Sequence, residues 1–556
     1  MPIQSKWSID IPDVHLATLL FTSPTHSLSN TKKVIVDAER PNTHYYTPAS
    51  FRLLCQRFAL GLQRYGIKQG DRVMLISGNT ILYPAVLVGT IMAGAVFTGA
   101  NPAFVAREIA YQLQDSQASI LLCSRHSLDQ GLAAAELAGL KREQIFVFNE
   151  APFHGHPAPP TNGCRSWGDL LAPAEDAPGF AWADLSKQGM AADTLLALNY
   201  SSGTTGLPKG VEITHRNYVA NILQSMHHAN LEPHRAEEKP IIYLPMYHAM
   251  SQSRLLVSLV QQSEVFVMQK YEFKALLENV QRFRITTLAM VPPVAIALAK
   301  QPIVAEYDLS SVRTAGSGAA PLGEDICQAI ETRLNGSVVI KQAWGMTELT
   351  CSFLAWHPGK VYPRSSVGEP LPNCEAKIMT EDGARELGSN SKGELWVRGP
   401  NVMRGYWRNK AATESTVTPD GWLKTGDVSY FDNQGRFYIV DRLKELIKVK
   451  GNQVAPAELE GELLQHPAVA EAAVIGLKIR DGEYPRAYIV LKPGKSATEG
   501  DILAFMKERV APVKQITGGV VFVDVIPKNP SGKILRKVLR EQAVAEVRKK
   551  QPGSRL

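Results

Sequence analysis

Between Thr47 and Ser77 the sequence changes its hydrophobic period, and the same change recurs along the chain. Phe51, Leu54, Phe58 and Leu62 recur at helical spacing behind a Thr-Pro-Ala-Ser start signal, and Gly66 ends the pattern. The run Arg-Val-Met-Leu-Ile-Ser after Asp71 then reads as a buried strand. Helical stretches around 105–114 and 272–282 are followed in the same way by Ala-Ser-Ile-Leu-Leu-Cys and Thr-Thr-Leu-Ala-Met-Val. Helices alternating with buried strands predict an α/β fold with mainly parallel sheets, because parallel strands need crossovers that cover both faces.

A chain of 556 residues exceeds one ordinary core. Before Asp441 lie the hairpin-like segments Gly-Glu-Leu-Trp-Val-Arg-Gly and Gly-Arg-Phe-Tyr-Ile-Val-Asp, which predict a β subdomain. After it the composition turns basic. Residues 442–556 hold 21 Lys and Arg against 13 Asp and Glu, a net +8, whereas residues 1–441 hold 39 against 40. A division into 1–441 and a small α+β domain at 442–556 is expected. Ala468–Leu491 reads as short strands alternating with turns, Asp501–Val510 as a helix, and 150–183, rich in Pro, Gly, His and Ala, as a long surface connection.

Several classes fall away. The six cysteines are scattered without a C-x-x-C pair, which argues against zinc clusters and disulfide frameworks. Met1–Pro12 lacks a basic stretch followed by an apolar core, so no secretory signal is expected. Ile81–Ala100 carries no charge and has about the length of a membrane span. Its Pro84, Gly89, Gly94 and Gly99 instead suggest a buried helix running into a short strand. Few aromatics interleave the basic C-terminal charge, so phosphorylated small molecules are expected as partners and nucleic acid is not.

The most informative segment is Tyr200-Ser201-Ser202-Gly203-Thr204-Thr205-Gly206-Leu207-Pro208-Lys209-Gly210, behind the apolar run Thr-Leu-Leu-Ala-Leu-Asn. Hydroxyls, glycines and a lysine in one loop after a strand supply backbone N–H groups, side-chain donors and a cation for polyphosphate. The Walker A spacing is absent. The segment closely resembles the phosphate-binding signature of the AMP-forming adenylating superfamily, which contains acyl- and aryl-CoA synthetases, peptide-synthetase adenylation domains and beetle luciferases. Matching segments follow in the family's order: Leu244-Pro-Met-Tyr247-His248, Gly316-Ser-Gly318-Ala319-Ala-Pro321, Gln342-Ala343-Trp344-Gly345-Met346-Thr347-Glu348, Gly421-Trp-Leu-Lys-Thr-Gly-Asp427, Asp441-Arg442-Leu-Lys444-Glu-Leu-Ile-Lys448 and Pro530-Ser-Gly-Lys533.

The resemblance implies that a carboxylate attacks the α-phosphorus of ATP, giving an acyl-adenylate, and that coenzyme A then takes the acyl group. Ser201 to Gly206 and Lys209 would bind phosphates. Glu348, with Thr204, would hold Mg²⁺, beside Thr347. Asp427 would accept the ribose hydroxyls, Trp344 would offer a face to adenine where the family more often has Tyr, and Gly318, Ala319, Gln342, Gly345 and Met346 would frame the nucleotide. Arg442 would reach the ribose or phosphate, and Lys444 is the matching hinge residue, which implies that the 442–556 domain is mobile. Lys533 resembles the lysine that draws the carboxylate and α-phosphate together. Lys448, Gly451 and Gln453 fall near the adenylate or the pantetheine tunnel, which Val449 and Asn452 line differently from the aromatic residues common in the family.

The acid pocket implied by the resemblance holds Tyr247, His248, Met250, Ser251, Gly316, Ala343, Gly345 and Met346. His248 would close it near the substrate carboxylate. Residues 241–259 contain no carboxylate, which disfavours amino acids, because a buried ammonium needs a partner. Met250 stands where 4-coumarate–CoA ligases commonly carry tyrosine, and Ala343 replaces their pocket-floor glycine. An apolar cavity for a medium-chain or aryl acid is expected, the two unranked. Loading of a carrier-protein thiol and luciferase-like oxygenation are the competing activities on this fold. Ser554-Arg555-Leu556 is similar to the Ser-Lys-Leu peroxisomal address, which implies an import receptor as partner and a peroxisomal location, otherwise cytoplasmic.

Overall fold

The computed structural model describes residues 1–23, 26–154, 160–201, 207–231, 238–334, 336, 338–449, 452–479, 482–529 and 532–550. The first helix signal forms as expected. Thr47 and Ser50 make a reciprocal capping box ahead of the helix Pro48–Tyr65, and Gly66 closes it at φ 104°. Phe51, Phe58 and Leu62 on its inner face are fully buried. The strand Arg72–Ile76 follows, and the uncharged stretch becomes the buried helix Tyr83–Met92 and the strand Val96–Ala100. Among the described residues no helix is long and apolar enough to cross a membrane.

These strands lie in an eight-stranded sheet. Its order is Gly405–Tyr406, Lys209–Thr214, Leu195–Ser201, Val96–Ala100, Arg72–Ile76, Ala118–Ser124, Ile145–Phe148 and Arg165–Ser166. From Leu195–Ser201 to the Arg165 edge all neighbours run parallel, whereas the first two strands pair antiparallel. A separate parallel sheet joins Thr287–Met290, Thr314–Ser317 and Ile340–Gln342. An antiparallel sheet carries Glu375–Met379, Gly393–Arg398, Leu423–Phe431 and Phe437–Arg442, as the β subdomain predicts.

Beyond Arg442 the chain builds its own core from Ile447, Leu459, Leu463, Val469, Val474, Ile489 and Ile502. Arg536 Nη2 donates to both Glu460 oxygens at 2.8 and 2.7 Å, and Glu460 also accepts from Val474 N–H. Asp441 ties this region to the preceding sheet, accepting from the N–H groups of Arg442 and Ala457.

Two expectations need correction. Residues 150–183 are not merely a surface connection: Arg165–Ser166 adds an edge strand to the large sheet, and Trp167, Leu170, Phe180 and Trp182 enter the main core. Helix residue Gly61 has no room for a side chain, since a Cβ would lie 1.6 Å from Leu170 O. Composition dominated by Pro and Gly concealed these apolar anchors, each costing about 3–5 kcal/mol if a Trp or Phe is truncated. Val469–Leu491 is one long hairpin, Val469–Ile479 against Gly482–Leu491, rather than several short strands. Gly476 and Pro485 sit opposite each other inside it.

Candidate active site

The strand Leu195–Ser201 leads into the phosphate loop and Lys209–Thr214 leads out, with Ser201 opposite Lys209. Around the base, Tyr200 O–H donates to Asp115 at 2.6 Å and Tyr111 O–H to Pro208 O at 2.8 Å. Ser202, Gly203, Thr204, Thr205 and Gly206 lie outside the described residues. Lys209 emerges at the strand start with Nζ 4.5 Å from the centre of the Tyr406 ring. Tyr406 in turn donates its hydroxyl to Glu348 Oε1 at 3.0 Å. Burial and the Glu348 charge push the phenol pKa up, so it remains a donor. Glu348 is itself buried in the short helical turn Thr347–Leu349, which places Thr347 beside it.

The residues expected to frame a nucleotide gather where the parallel strands end, the usual ligand edge of open α/β sheets. Ala319 follows the Thr314–Ser317 strand at φ 71°, and Trp344 follows Ile340–Gln342. Gly345 is obligatory, because a Cβ would stand 1.7 Å from Cys351 O in the hairpin it forms. Met346 packs half-buried on the main core. Gln342 is committed to the fold: its amide bonds both backbone groups of Leu322 at 2.9 Å and donates to Arg364 O. It thereby fixes the loop bearing Gly318 and Ala319.

Asp427 is the centre of this arrangement. The Trp344 indole donates to Oδ2 at 2.8 Å, and Arg442 Nε lies 3.3 Å from Oδ1. Oδ1 is buried without a hydrogen-bond partner, an acceptor held ready for a hydroxyl. Lys533 reaches the same place from the C-terminal region. Asn529 braces its loop, accepting from Lys533 N–H through the side chain and donating its own N–H to Lys533 O. Neighbouring Gly532 lies against Pro293 and Val291, across the junction. Desolvation first, then the Arg442 charge, lower the Lys533 pKa to about 8, against the opposing pull of Asp427 and Glu445.

Lys448 and Gln453 are not brought to this centre. They meet Glu381 instead, Lys448 Nζ at 3.8 Å and Gln453 Nε2 at 3.0 Å. Lys444 is exposed in the turn between Arg442 and Glu445, and Gly451 lies outside the described residues.

The segment read as acid-binding is tied down by two side chains. Asn79 bonds Leu244 O and Met246 N–H, and Ser251 spends its hydroxyl on Leu244 O. His248 precedes the helix Ala249–Val260 and packs on Tyr247 at 4.6 Å. Its Nε2 is buried and unpartnered, and burial lowers its pKa to about 4, so the ring is neutral. Met250 reaches across to Gly318, whose Cβ position would lie 3.2 Å from Met250 Cε. Ala343 is exposed beside it, and Gly316 sits against Lys341 O.

Sequence reasoning missed Tyr406 and Asn79. Nothing in Arg-Gly-Tyr-Trp or Ser-Gly-Asn-Thr announces a ligand-side role. Only a polar residue abutting otherwise apolar strand sequence could have flagged Asn79.

The model of the AMP-binding enzyme family matches residues 26–407, and that of the AMP-binding enzyme C-terminal domain matches 458–533. The chain is 36% identical over 552 residues to a 4-coumarate:CoA ligase of Petunia hybrida, covering 97% of this chain and 96% of that protein. It is also 36% identical over 501 residues to an acyl-CoA synthetase of Alternaria alternata, covering 89% and 85%. ATP-bound MatB from Rhodopseudomonas palustris superposes with a TM-score of 0.82 at 28% identity, over 95% of this chain and 98% of that one.

Proposed function

The chain belongs to the AMP-binding enzyme family, and on that premise we propose how its residues run the reaction. It is an ATP-dependent acid–CoA ligase that works through an acyl-adenylate. The observation that carries the residue assignment is the meeting of Lys533 with Asp427 and Arg442 across the junction near 441/442. That junction is where we divide the chain into a nucleotide-binding domain and a mobile C-terminal domain.

In the first step a carboxylate oxygen bonds to the α-phosphorus and the bond to pyrophosphate breaks. Positioning and charge stabilisation dominate such a displacement. Asp427 holds the ribose through Oδ1, and Trp344 fixes that carboxylate while presenting its face towards adenine. The Lys533 ammonium lies between acid and α-phosphate, neutralising charge as it develops. Lys209 holds the outer phosphates with Thr204 and Thr205. Glu348 fits Mg²⁺: a buried carboxylate with one oxygen oriented by Tyr406 is a hard donor, and this ion usually takes one or two carboxylates plus phosphate oxygens. Bound there with Thr204, the ion would neutralise phosphate charge. In the second step the thiol sulfur of coenzyme A, losing its proton, attacks the acyl carbon and AMP leaves. Lys448, Gly451 and Gln453 serve that step after the C-terminal domain turns.

The pocket reading favours a medium-chain or aryl acid. His248 is neutral and adds no charge, while Met250 against Gly318 gives an apolar wall without a phenol-directed hydrogen bond. The Ser554-Arg555-Leu556 tripeptide, which lies outside the described residues, supports peroxisomal delivery through its import receptor. Deleting Leu556 from a fluorescently tagged chain should return it to the cytosol.

Pyrophosphate release with ATP, Mg²⁺ and a panel of aliphatic and aryl acids tests the assignment, with and without coenzyme A. Acid-dependent release, thioester only with coenzyme A, and collapse of both in Lys533→Ala are expected. Release without any acyl-CoA would point to a carrier-protein acceptor, and light with luciferin and oxygen to an oxygenase.

A further inference from the structure

We propose that Tyr406 is a positioning residue that couples Lys209 to Glu348, so that nucleotide phosphates and the divalent cation bind as one linked event. The inference rests on the roles given above to those two residues. The ring stands between them, its face under the Lys209 ammonium at 4.5 Å and its hydroxyl on Glu348 Oε1 at 3.0 Å.

The backbone leaves the ring little freedom. Tyr406 lies opposite Val211 on the strand that begins with Lys209, and Arg404 and Trp407 N–H groups bond Glu212 and Gly210 carbonyls. Its own N–H donates to Thr413 at 2.9 Å. On the other side the same segment is sewn to the Glu348 turn. Met403 N–H donates to Glu348 O at 2.8 Å, Asn401 Nδ2 to Leu349 O, and Thr350 to Asn401 O. Residues 401–407 thus bridge the phosphate-loop strand and the metal-side turn, and Tyr406 is the only one whose side chain touches a proposed ligand group at both ends among the described residues.

A core tyrosine needs neither contact to fill space; a residue that aims a ligating carboxylate and holds a phosphate-binding cation needs both. Groups that orient metal-ligating carboxylates typically change metal affinity or activity by about 10–100-fold when removed. The cation over the ring adds a smaller share, about two- to fivefold at a partly exposed site.

The test is equilibrium binding without turnover, with the full-length chain and α,β-methylene-ATP, by calorimetry in Mg²⁺ and in EDTA. Tyr406→Phe keeps the ring and removes the hydroxyl. It should shrink the gain in affinity that Mg²⁺ confers by about tenfold or more, with binding in EDTA nearly unchanged. Tyr406→Leu should also weaken binding in EDTA, by about two- to fivefold. In a Glu348→Gln background, Tyr406→Phe should have no further effect on the Mg²⁺ gain. A full Mg²⁺ gain in Tyr406→Phe, or losses that simply multiply with Glu348→Gln, would overturn the coupling alone. Failure of the wild-type chain to bind the analogue would overturn the nucleotide-site reading beneath it as well.

Discussion

Two parts of the C-terminal region present lysines to the rest of the molecule, and they do so in opposite ways. Lys533 comes in on a braced loop, partly buried, and lies in the fields of Asp427 and Arg442. Lys448 stands on the Ile447–Val449 and Asn452–Val454 hairpin, 68% exposed, and lies 3.8 Å from Glu381, itself 57% exposed. A partly desolvated charge acts more strongly on a developing charge than an exposed one, whereas an exposed pair contributes about 0–1 kcal/mol. On the proposed roles, the adenylation lysine is seated in this structure, whereas Lys448 is held at an exposed rim by a weak contact. Adenylation and thioester formation become separable by mutation.

The largest effect should come from Lys533→Ala. Adenylation, read as acid-dependent pyrophosphate release, should fall about 10²–10³-fold. Formation of acyl-CoA from separately supplied acyl-adenylate should change only a few-fold. Equal loss in both steps would erase the contrast between the two faces. Asp427→Asn sharpens it from the other side, because the ribose stays bound through both steps. Hydrogen bonds to a charged acceptor contribute roughly 1.5–3 kcal/mol each, so nucleotide affinity should weaken by about tenfold or more, and both half-reactions with it. Damage confined to adenylation would place the ribose elsewhere.

The lowered Lys533 pKa predicts a pH profile. Adenylation needs the ammonium, so kcat/KM for ATP should be highest below about pH 8 and decline above it. Stability moves oppositely. The folded state binds this proton less tightly than the unfolded chain, with its ordinary value near 10.5, so the fold gains stability as pH rises from about 8 to 10.5. A flat kcat/KM between pH 7 and 9.5, with the thioester step equally flat, would remove the distinction between a partly buried and an exposed lysine.

The α/β alternation was legible because period and caps agree in Thr47–Gly66 and its successors. The candidate site could be proposed from sequence because each signature carries chemistry in its own side chains, as Asp427, Glu348 and Lys533 do. What escaped was relational. Gln342 looks like a ligand in sequence but is consumed by Leu322 and Arg364, residues whose nearness only the folded loops create. Tyr406 looks like packing but meets Lys209 and Glu348, which lie far from it along the chain. Trp167 and Trp182 were hidden in a stretch whose average composition is that of a loop, although single aromatics decide whether such a stretch is anchored.

The smallest prediction tests whether the rim contact biases the two arrangements at all. Glu381→Gln removes the attraction for Lys448 while an amide oxygen can still accept from Gln453. A pair this exposed can shift a two-state balance by no more than about fivefold. The shift should favour the thioester step over adenylation, since the contact belongs to the arrangement that seats Lys533. It should also fade between 50 mM and 500 mM salt, as exposed charges are screened. A change in the opposite sense, or one that survives high salt, would mean that Glu381 acts through something other than its hold on Lys448. The hairpin would then be part of the adenylation machinery rather than waiting beside it.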